Sequence, residues 1–455
     1  MLNKTLGEIA EGYTCLGDPK YKKETITKVS YDSRQVDGET LFVPIIGEHV
    51  NAHTFIPDML EKTDCKGCFI SEYVDYTGDK LLITCENTVE AVQNLAKKER
   101  SKINVPVIAV TGSVGKTTTR EMIAAALRGG RKVFSTARNQ NSQIGVAKTI
   151  LEFDESADIA VLELGISLKN EMRPIAELAL PETAVFTNIG VTHIENLGSR
   201  ENILKEKMHV TDFMPEGSTV FLNHDNDLLR DCAIPQGLRR FDYGTTPDCD
   251  AYASDIDMSD GCPSFVCHIK DKTVPVKLGV YGEHQILNAV VALAVADYYG
   301  VDLNAAAENI EQFNGFSHRQ QIIRQGSITV IDDSYNAAPD SVKTALNILS
   351  SFSSKSRRIA VLADMRELGE ITESAHRDIG KYIKSLRNID MVITYGDFVR
   401  FIDDETETIH FDEKSKMEEY INKMISDDDV ILYKGSNTLK LFDSVDILLN
   451  NAKRC

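Results

Sequence analysis

Val105-Pro-Val-Ile-Ala-Val-Thr-Gly-Ser-Val-Gly-Lys-Thr-Thr-Thr119 decides how the rest of the chain is read. The apolar, β-branched run from Val105 to Val110 predicts a buried strand. It breaks at Thr111-Gly112-Ser113-Val114-Gly115, where glycine lets the backbone turn sharply and approach a ligand without a Cβ in the way. Lys116-Thr117-Thr118 then opens a helix filled by Arg120, Met122, Ile123, Ala126 and Leu127. A strand, a glycine turn and a helix N-terminus aim backbone N–H groups at one point, which suits a phosphate. Lys116 adds a point charge for β- and γ-phosphates, and Thr117 offers a hydroxyl to Mg²⁺. The spacing is shorter than the usual loop, with two residues between Gly112 and Gly115. The alternative is a strand–turn–helix carrying an incidental Gly-Lys-Thr, and the flanking context favours the phosphate loop.

Downstream, strands and helices alternate, which implies a mainly parallel sheet covered on both faces, with ligands at the C-terminal strand ends. Three polar positions fall at such ends: Glu163 after Asp158–Leu162, Thr187-Asn188 after Thr183–Phe186, and His193 just beyond. A carboxylate near a phosphate loop can complete a Mg²⁺ site with nucleotide phosphates, whereas imidazole is an unusual ligand for that ion. Without such a role Glu163 is a solvated strand-end carboxylate. Gly282-Glu-His284-Gln-Ile-Leu-Asn288 starts a long helix through Tyr299, and His284 and Asn288 share its face at i, i+4. That face can present an amide to a purine edge; the plainer reading is a helix start with an incidental pair.

Gly315-Phe-Ser-His-Arg319 predicts a boundary. Beyond it strand and helix repeat: Ile328–Ile331, a helix from Pro339 to Leu349, then strands Arg358–Leu362, Met391–Thr394 and Val430–Tyr433. This is a second parallel α/β unit. Asp333, after its first strand, is placed for ribose hydroxyls or for a helix N-terminus. Asp427–Asp429 reads as a solvated turn. Before the phosphate loop, residues 1–102 form a small α/β unit, with strands Leu41–Ile46 and Gly67–Ile70 and helices near Phe55–Glu61 and Thr88–Arg100. Its strand-end loops hold Ser33, Arg34, Asn51 and His53, which are ligand candidates or ordinary turn formers. Lys98–Lys102 is the expected linker, giving domains 1–102, 103–316 and 317–455.

At 455 residues the chain has length for about three domains of ~150. A net charge of −19 argues against a general nucleic-acid or acidic-membrane surface while permitting a local phosphate pocket. No apolar run reaches the ~18 residues that span a bilayer. The N-terminal residues lack a signal peptide's apolar core, so the expected location is the cytoplasm. Among nine cysteines, Cys65-Lys-Gly-Cys68 has no second pair at zinc spacing, and free thiols are expected. Neither nucleic acid nor membrane insertion is expected, and the expected state is a monomer.

Taken together, Thr111–Thr117, Glu163, Thr187-Asn-Ile-Gly-Val-Thr-His193, Gly282-x-His-x-x-x-Asn288 and the turn 332–339 occur in the order of the Mur ligases, and the chain resembles that family over essentially its whole length. The resemblance implies an N-terminal domain for the UDP end of a substrate, a central ATPase domain and a mobile C-terminal Rossmann-like domain. Asp333-Ser-Tyr335-Asn336-Ala-Ala-Pro339, Asn139-Gln-Asn141 before Ile144-Gly-Val146, and Asp364-Met-Arg-Glu-Leu-Gly-Glu370 followed by His376 match the branch that joins D-alanyl-D-alanine to a UDP-N-acetylmuramoyl-tripeptide. The Asp-Asn-Pro-Arg or Asp-Asp-Pro-Arg motif of the diaminopimelate- or lysine-adding relatives is absent. Departures from the family pattern fall at Gln285, Ala338, Ala363 and Asn437.

The resemblance further implies roles. ATP would convert a carboxylate to an acyl phosphate that an amine attacks, with Lys116, Glu163, His193 and Lys207 at the reaction centre. Thr117, Glu163, His193 and Lys207 would hold or flank Mg²⁺. Lys207 lies fourteen positions after His193, like the family lysine that reacts with CO₂ to form a carbamate. His284, Asn288, Arg319 and Asp333 would contact ATP. Ser33, Arg34, Asn51, His53, Asn139, Asn141, Asn188, Tyr335 and Asn336 would face the other substrates. Two alternatives remain: a related ligase of the Mur or folylpolyglutamate-synthase type with another acceptor, and a non-catalytic ATP-driven switch.

Overall fold

The strand Val107–Thr111 lies inside a nine-stranded sheet, in the computed structural model that describes residues 2–47, 50–137, 140–259, 261–352, 355 and 357–452. All five of its residues are buried, which is why the sequence there is continuously apolar rather than alternating. Ile159–Glu163 flanks it on one side and Thr183–Phe186 on the other, both parallel to it. The chain passes outward to the edge strand Val133–Ser135, returns through Ile159–Glu163, and then crosses to Thr183–Phe186. That reversal opens a crevice at the C-terminal ends of the middle strands. Thr219–Asn223, Arg239–Gly244 and Ala251–Asp257 continue the parallel order. Ser264–Ile269 and Lys272–Lys277 close the sheet in antiparallel fashion. Pro275, which cannot donate to a ladder, sits in the edge strand.

Helices Lys116–Leu127, Gln285–Tyr298 and Leu303–Glu311 pack together over one face. Gln285–Tyr298 is buried almost all round, so its sequence shows little amphipathic contrast. Thr88–Arg100, Gln143–Leu151 and Met172–Ala179 pack against one another on the other side, in a core continuous with that of the N-terminal sheet. The first residues of the expected linker Lys98–Lys102 belong to the end of the helix Thr88–Arg100. Lys98–Lys102 is helical as far as Arg100, which is buried and donates to the carbonyls of Ala179, Ile103, Val105 and Leu180. A buried guanidinium must be satisfied, and here four hydrogen bonds tie the helix to the segment that leads into the central strand and to the end of the helix Met172–Ala179.

The N-terminal sheet runs Thr14–Leu16, Leu81–Thr84, Gly67–Ile70, Thr40–Phe42 and Lys28–Ser30. Cys65 and Cys68 are buried free thiols, and burial pushes both thiol pKa values up, so neither is poised for redox chemistry. The C-terminal sheet runs Gln321–Gln325, Ile328–Asp333, Val430–Lys434, Arg358–Ala363, Met391–Tyr395 and Ile409–Phe411, and only the first pair is antiparallel. Among the described residues no helix is long and apolar enough to cross a membrane.

The acidic run 427–429 is not a solvated turn throughout. Asp429 is buried, pairs with Arg357 at 2.5 Å and accepts from the Ser426 amide at 2.7 Å. Removing a buried acceptor leaves its donors to be resolvated, at about 1–3 kcal/mol. Asp429→Ala is therefore expected to lower the urea midpoint of unfolding. An unchanged midpoint would make the carboxylate energetically idle.

Candidate active site

The phosphate loop is shaped by two glycines and held from the neighbouring strand end. Gly112 has φ +148°, and a Cβ there would stand 2.0 Å from Thr187 Oγ1; Gly115 has φ +84° immediately before the helix. The Ser113 amide donates to the Asn188 carbonyl at 2.9 Å and the Val114 amide to Asn188 Oδ1 at 2.8 Å. Thr187 Oγ1 donates to the Val114 carbonyl at 2.6 Å, and Ser113 Oγ accepts from the Gly190 amide at 3.0 Å. Asn188 thus shapes the loop with its side-chain amide and its carbonyl. The Lys116 ammonium folds back on the carbonyls of Gly112 and Ser113, at 2.8 and 3.1 Å. Burial pushes its pKa down, Glu163 draws it up, and the Arg319 charge pushes it down further.

Glu163 is buried at the end of its strand, where register puts it opposite Val110. Oε2 accepts from Thr117 Oγ1 at 2.8 Å and Oε1 from Asn141 Nδ2 at 2.7 Å. The buried Arg120 guanidinium lies 3.5 Å from Oε2, and the Glu163 amide donates to Thr136 Oγ1 at 3.0 Å. These contacts fix a hard-oxygen donor pair, Thr117 and Glu163, at the start of the phosphate-loop helix.

His193 lies across the cleft from this group, in the left-handed region at φ +62°. Its Nδ1 is 2.5 Å from Oε2 of Glu367, which belongs to the C-terminal sheet's Asp364–Glu370 loop and also has positive φ, +64°. The contact is close but lacks the alignment of a full hydrogen bond. The His193 imidazole holds the Glu367 carboxyl below its usual range.

The far wall is assembled across the 315–320 segment. Gln320 Oε1 accepts from Nε2 of His284 at 2.7 Å and from Nε2 of Gln285 at 3.1 Å. Gln285 Oε1 accepts from Asn288 Nδ2 at 2.8 Å, and Asn288 Oδ1 from Thr119 Oγ1 at 2.9 Å. Burial pushes the His284 pKa down to about 4, so at neutral pH this side chain is an uncharged imidazole. On the other side of the segment, the Gln320 amide donates to Asp333 Oδ1 at 3.2 Å, and Asp333 Oδ2 pairs with Lys434 at 2.6 Å. Asp333 and Lys434 are register partners at the ends of adjacent parallel strands, so the sheet itself creates the pair. Arg319 lies over the Tyr335 ring at 4.0 Å, and His318 Nδ1 is 2.7 Å from Asp332.

These groups surround one cleft of about 340 Å³, at the lower end of the range for small-molecule sites. Ser113, Val114, Gly115, Lys116, Thr117, Thr118, Asn141, Glu163, His193, His284, Asn288, Arg319, Asp333, Tyr335 and Asn336 all line it. Thr111 and Gly112 underlie its loop. Lys207 is buried behind it, near enough for Lys116 and Glu163 to act on it electrostatically. Ser33, Arg34, Asn51 and His53 are not brought to the cleft. They lie in loops of the N-terminal sheet, where Asp32 accepts from the Arg34 amide and guanidinium, and Asn51 caps the turn at His53. His53 is buried, and its Nε2 accepts from the Ser71 amide at 3.1 Å. Asn139 lies outside the described residues.

Gln320, Lys434 and Glu171 also line the cleft, and neither Gln320 nor Glu171 carries a sequence signal that assigns it there. Gln320 follows the boundary arginine, and Lys434 ends a strand, but strand register and domain orientation decide what they meet. Among the described residues no group of three His, Cys, Asp or Glu side chains converges as a metal cage. Thr117 Oγ1, Glu163 and His193 instead offer a few dispersed donors around a phosphate-sized space. That fits Mg²⁺, which keeps several waters and takes substrate phosphate oxygens as ligands.

Residues 110–296 match the Mur ligase middle domain family and residues 318–437 the Mur ligase, glutamate ligase domain family. The UDP-N-acetylmuramoyl-tripeptide--D-alanyl-D-alanine ligase of Bacillus subtilis is 32% identical, with 99% of each chain covered. The enzyme of the same name from Escherichia coli is 28% identical, also over 99% of each. The fold is similar to crystal structure I of MurF from Acinetobacter baumannii, with TM-score 0.87 and 24% identity over 98% of this chain and 99% of that one. It is also similar to the MurF ligase of Thermotoga maritima in complex with ADP, with TM-score 0.82 and 24% identity over 94% and 98%.

Proposed function

The chain belongs to the Mur ligase family, and from that footing we propose that it joins D-alanyl-D-alanine to UDP-N-acetylmuramoyl-tripeptide at the expense of ATP. The observation that carries this reading is the single cleft where the phosphate loop and Glu163 of the central sheet meet Asp333, Tyr335 and Asn336 of the C-terminal sheet. The work divides over domains 1–102, 103–316 and 317–455, which take the UDP end, the ATP and the incoming dipeptide respectively. A nucleotide-sugar peptide substrate of this kind is a precursor of peptidoglycan, and its consumption belongs to the cytoplasm.

A carboxylate is a poor electrophile, so the γ-phosphoryl of ATP first passes to the tripeptide's terminal carboxylate. The chemistry is mainly positioning and charge stabilisation. The loop amides from Gly115 to Thr117 and the Lys116 ammonium face the phosphoryl oxygens as charge spreads over them. Thr117 and Glu163 would hold one Mg²⁺ and His193 would help hold a second, and the ions would neutralise phosphate charge. Arg319 reaches the phosphates from the segment between the domains, and the neutral His284 and Asn288 offer hydrogen bonds to the base. Tyr335 and Asn336 bring the dipeptide amine to the acyl phosphate; the amide bond forms as the C–O bond to phosphate breaks, and the amine gives up a proton.

Lys207 enters as its carbamate: the neutral amine adds to CO₂, forming an N–C bond and releasing a proton. Its burial supports this, because desolvation foremost, then the Lys116 charge, hold its pKa well below the ordinary lysine value against the opposing pull of Glu206 and Glu163.

The test is to incubate the protein with ATP, UDP-muramoyl tripeptides ending in lysine or diaminopimelate, and several dipeptides, then weigh the products. ADP and phosphate should appear only with both substrates present, and the product should gain one D-alanyl-D-alanine less water. ATP binding without acceptor-dependent turnover would instead favour a switch. A mass gain of one amino acid would move the chain to another branch of the family.

A further inference from the structure

The loop Asp364–Glu370 reaches out of the C-terminal sheet and docks on the central segment 190–195. The Glu195 amide donates to the Glu367 carbonyl at 3.4 Å. Gly369, at φ +54°, lies so close that a Cβ would stand 3.2 Å from Glu195 Cα. Val191 packs into the apolar core of the C-terminal sheet. The Glu367 side chain points into this junction and meets Nδ1 of His193 at 2.5 Å. Both residues hold left-handed backbone conformations that non-glycine residues seldom adopt, and such conformations persist where the surroundings over-determine them.

An imidazole that binds a metal through one nitrogen usually gives its other N–H to a carboxylate or carbonyl. That partner sets the tautomer, aims the ring and raises the basicity of the ligating nitrogen. With Nδ1 turned to Glu367, Nε2 is the ring nitrogen available to the cleft, which His193 lines. Here the supporting carboxylate comes from a different domain than the histidine.

We propose that Glu367 is a positioning residue for the reaction centre: delivered by the docked C-terminal domain, it holds the His193 ring with Nε2 facing the cleft, so that full metal affinity at His193 exists only when that domain is docked. The inference rests on the reading of His193 as a metal ligand. It makes the second metal site a sensor of domain docking. Charge that would stabilise the acyl phosphate is then complete only when the domain carrying the amine is in place, and metal binding in turn favours the docked arrangement.

The probe is Mn²⁺, counted as free ion by electron paramagnetic resonance while it is titrated into the full chain with a non-hydrolysable ATP analogue and the UDP-tripeptide. Two classes of bound ion are expected in the unaltered protein. Glu367→Gln, which keeps the size of the side chain but not its charge, should weaken the second class about 10- to 100-fold and leave the first unchanged. Glu367→Asp should recover part of the loss, which a merely structural contact would not predict. His193→Ala should lose the second class altogether. If His193→Ala loses it while Glu367→Gln binds as the unaltered protein does, the positioning role is overturned and the ligand reading stands. If His193→Ala retains both classes, the ligand reading fails and the inference with it. The first class, measured in the same titration, reports whether each variant is folded.

Discussion

Lys116→Ala is expected to lower kcat at least about 10³-fold, or about 4 kcal/mol of transition-state stabilisation, with the fold intact. The ammonium stands over the loop, 2.8 Å from the Gly112 carbonyl and 3.1 Å from that of Ser113. It is therefore held beside the glycine turn, within the cleft that the phosphate loop lines. The loop does not depend on it for shape, since Asn188 and Thr187 hold the backbone of Ser113 and Val114 from the next strand. Burial that depresses the Lys116 pKa also raises the value of its charge, because little water is present to screen it. The charge matters most when negative charge spreads over the phosphoryl oxygens, so the loss belongs to kcat rather than to ATP binding. Lys116→Arg should recover little, since a planar fork does not replace a compact point charge in a loop of this size. Steady-state kinetics with both substrates saturating, beside the urea midpoint, gives the test. Turnover within a few-fold of the unaltered protein would remove the phosphate loop from the mechanism.

The parts of the site visible in the sequence are those whose chemistry is local. A glycine turn between an apolar run and a helix has few meanings, and the structure places Val107–Thr111, the turn and the helix Lys116–Leu127 in that order. Glu163 and Asp333 end strands, and strand ends converge on the crevice of a parallel sheet. What the sequence could not carry is register and domain orientation. Lys434 meets Asp333 because their strands are neighbours, although a hundred residues lie between them. Gln320 bridges His284 and Asp333 because it lies between two sheets. Asp429 misled because a charged residue in an acidic run reads as solvated, and only packing shows its carboxylate buried beside Arg357 and the Ser426 amide. The strands Ala251–Asp257, Ser264–Ile269 and Lys272–Lys277 had a legible signal, since the latter two alternate in burial along their length. Their role as an extension of the central sheet depends on a pairing partner far from the phosphate loop.

Lys207→Ala is expected to lose about 10²-fold or more of activity and to be partly rescued by a small carboxylic acid such as formate. The lysine is buried in the last turn of Arg200–Met208, and among the described residues no carboxylate forms an ion pair with it. Its neighbour Glu206 is turned to the Met172 amide, at 3.1 Å. Desolvation, and after it the Lys116 charge, lower the Lys207 pKa and so favour the neutral amine over the ammonium. A neutral amine is the form that adds CO₂. A carbamate there would reverse the local sign, face Lys116 favourably and supply oxygens where an ammonium would repel a cation. Lys207→Arg keeps a permanent charge and fills the space, so it should be inactive and beyond rescue. The direct measurement is ¹³C NMR of protein equilibrated with ¹³CO₂. A carbamate carbonyl signal should appear in the unaltered protein and vanish in Lys207→Ala. Near-normal activity of Lys207→Ala without added acid would sink the proposal, as would a protein with full activity and no such signal. Rescue by formate but not by formamide would show that the charge, and not the filled volume, is what the lysine contributes.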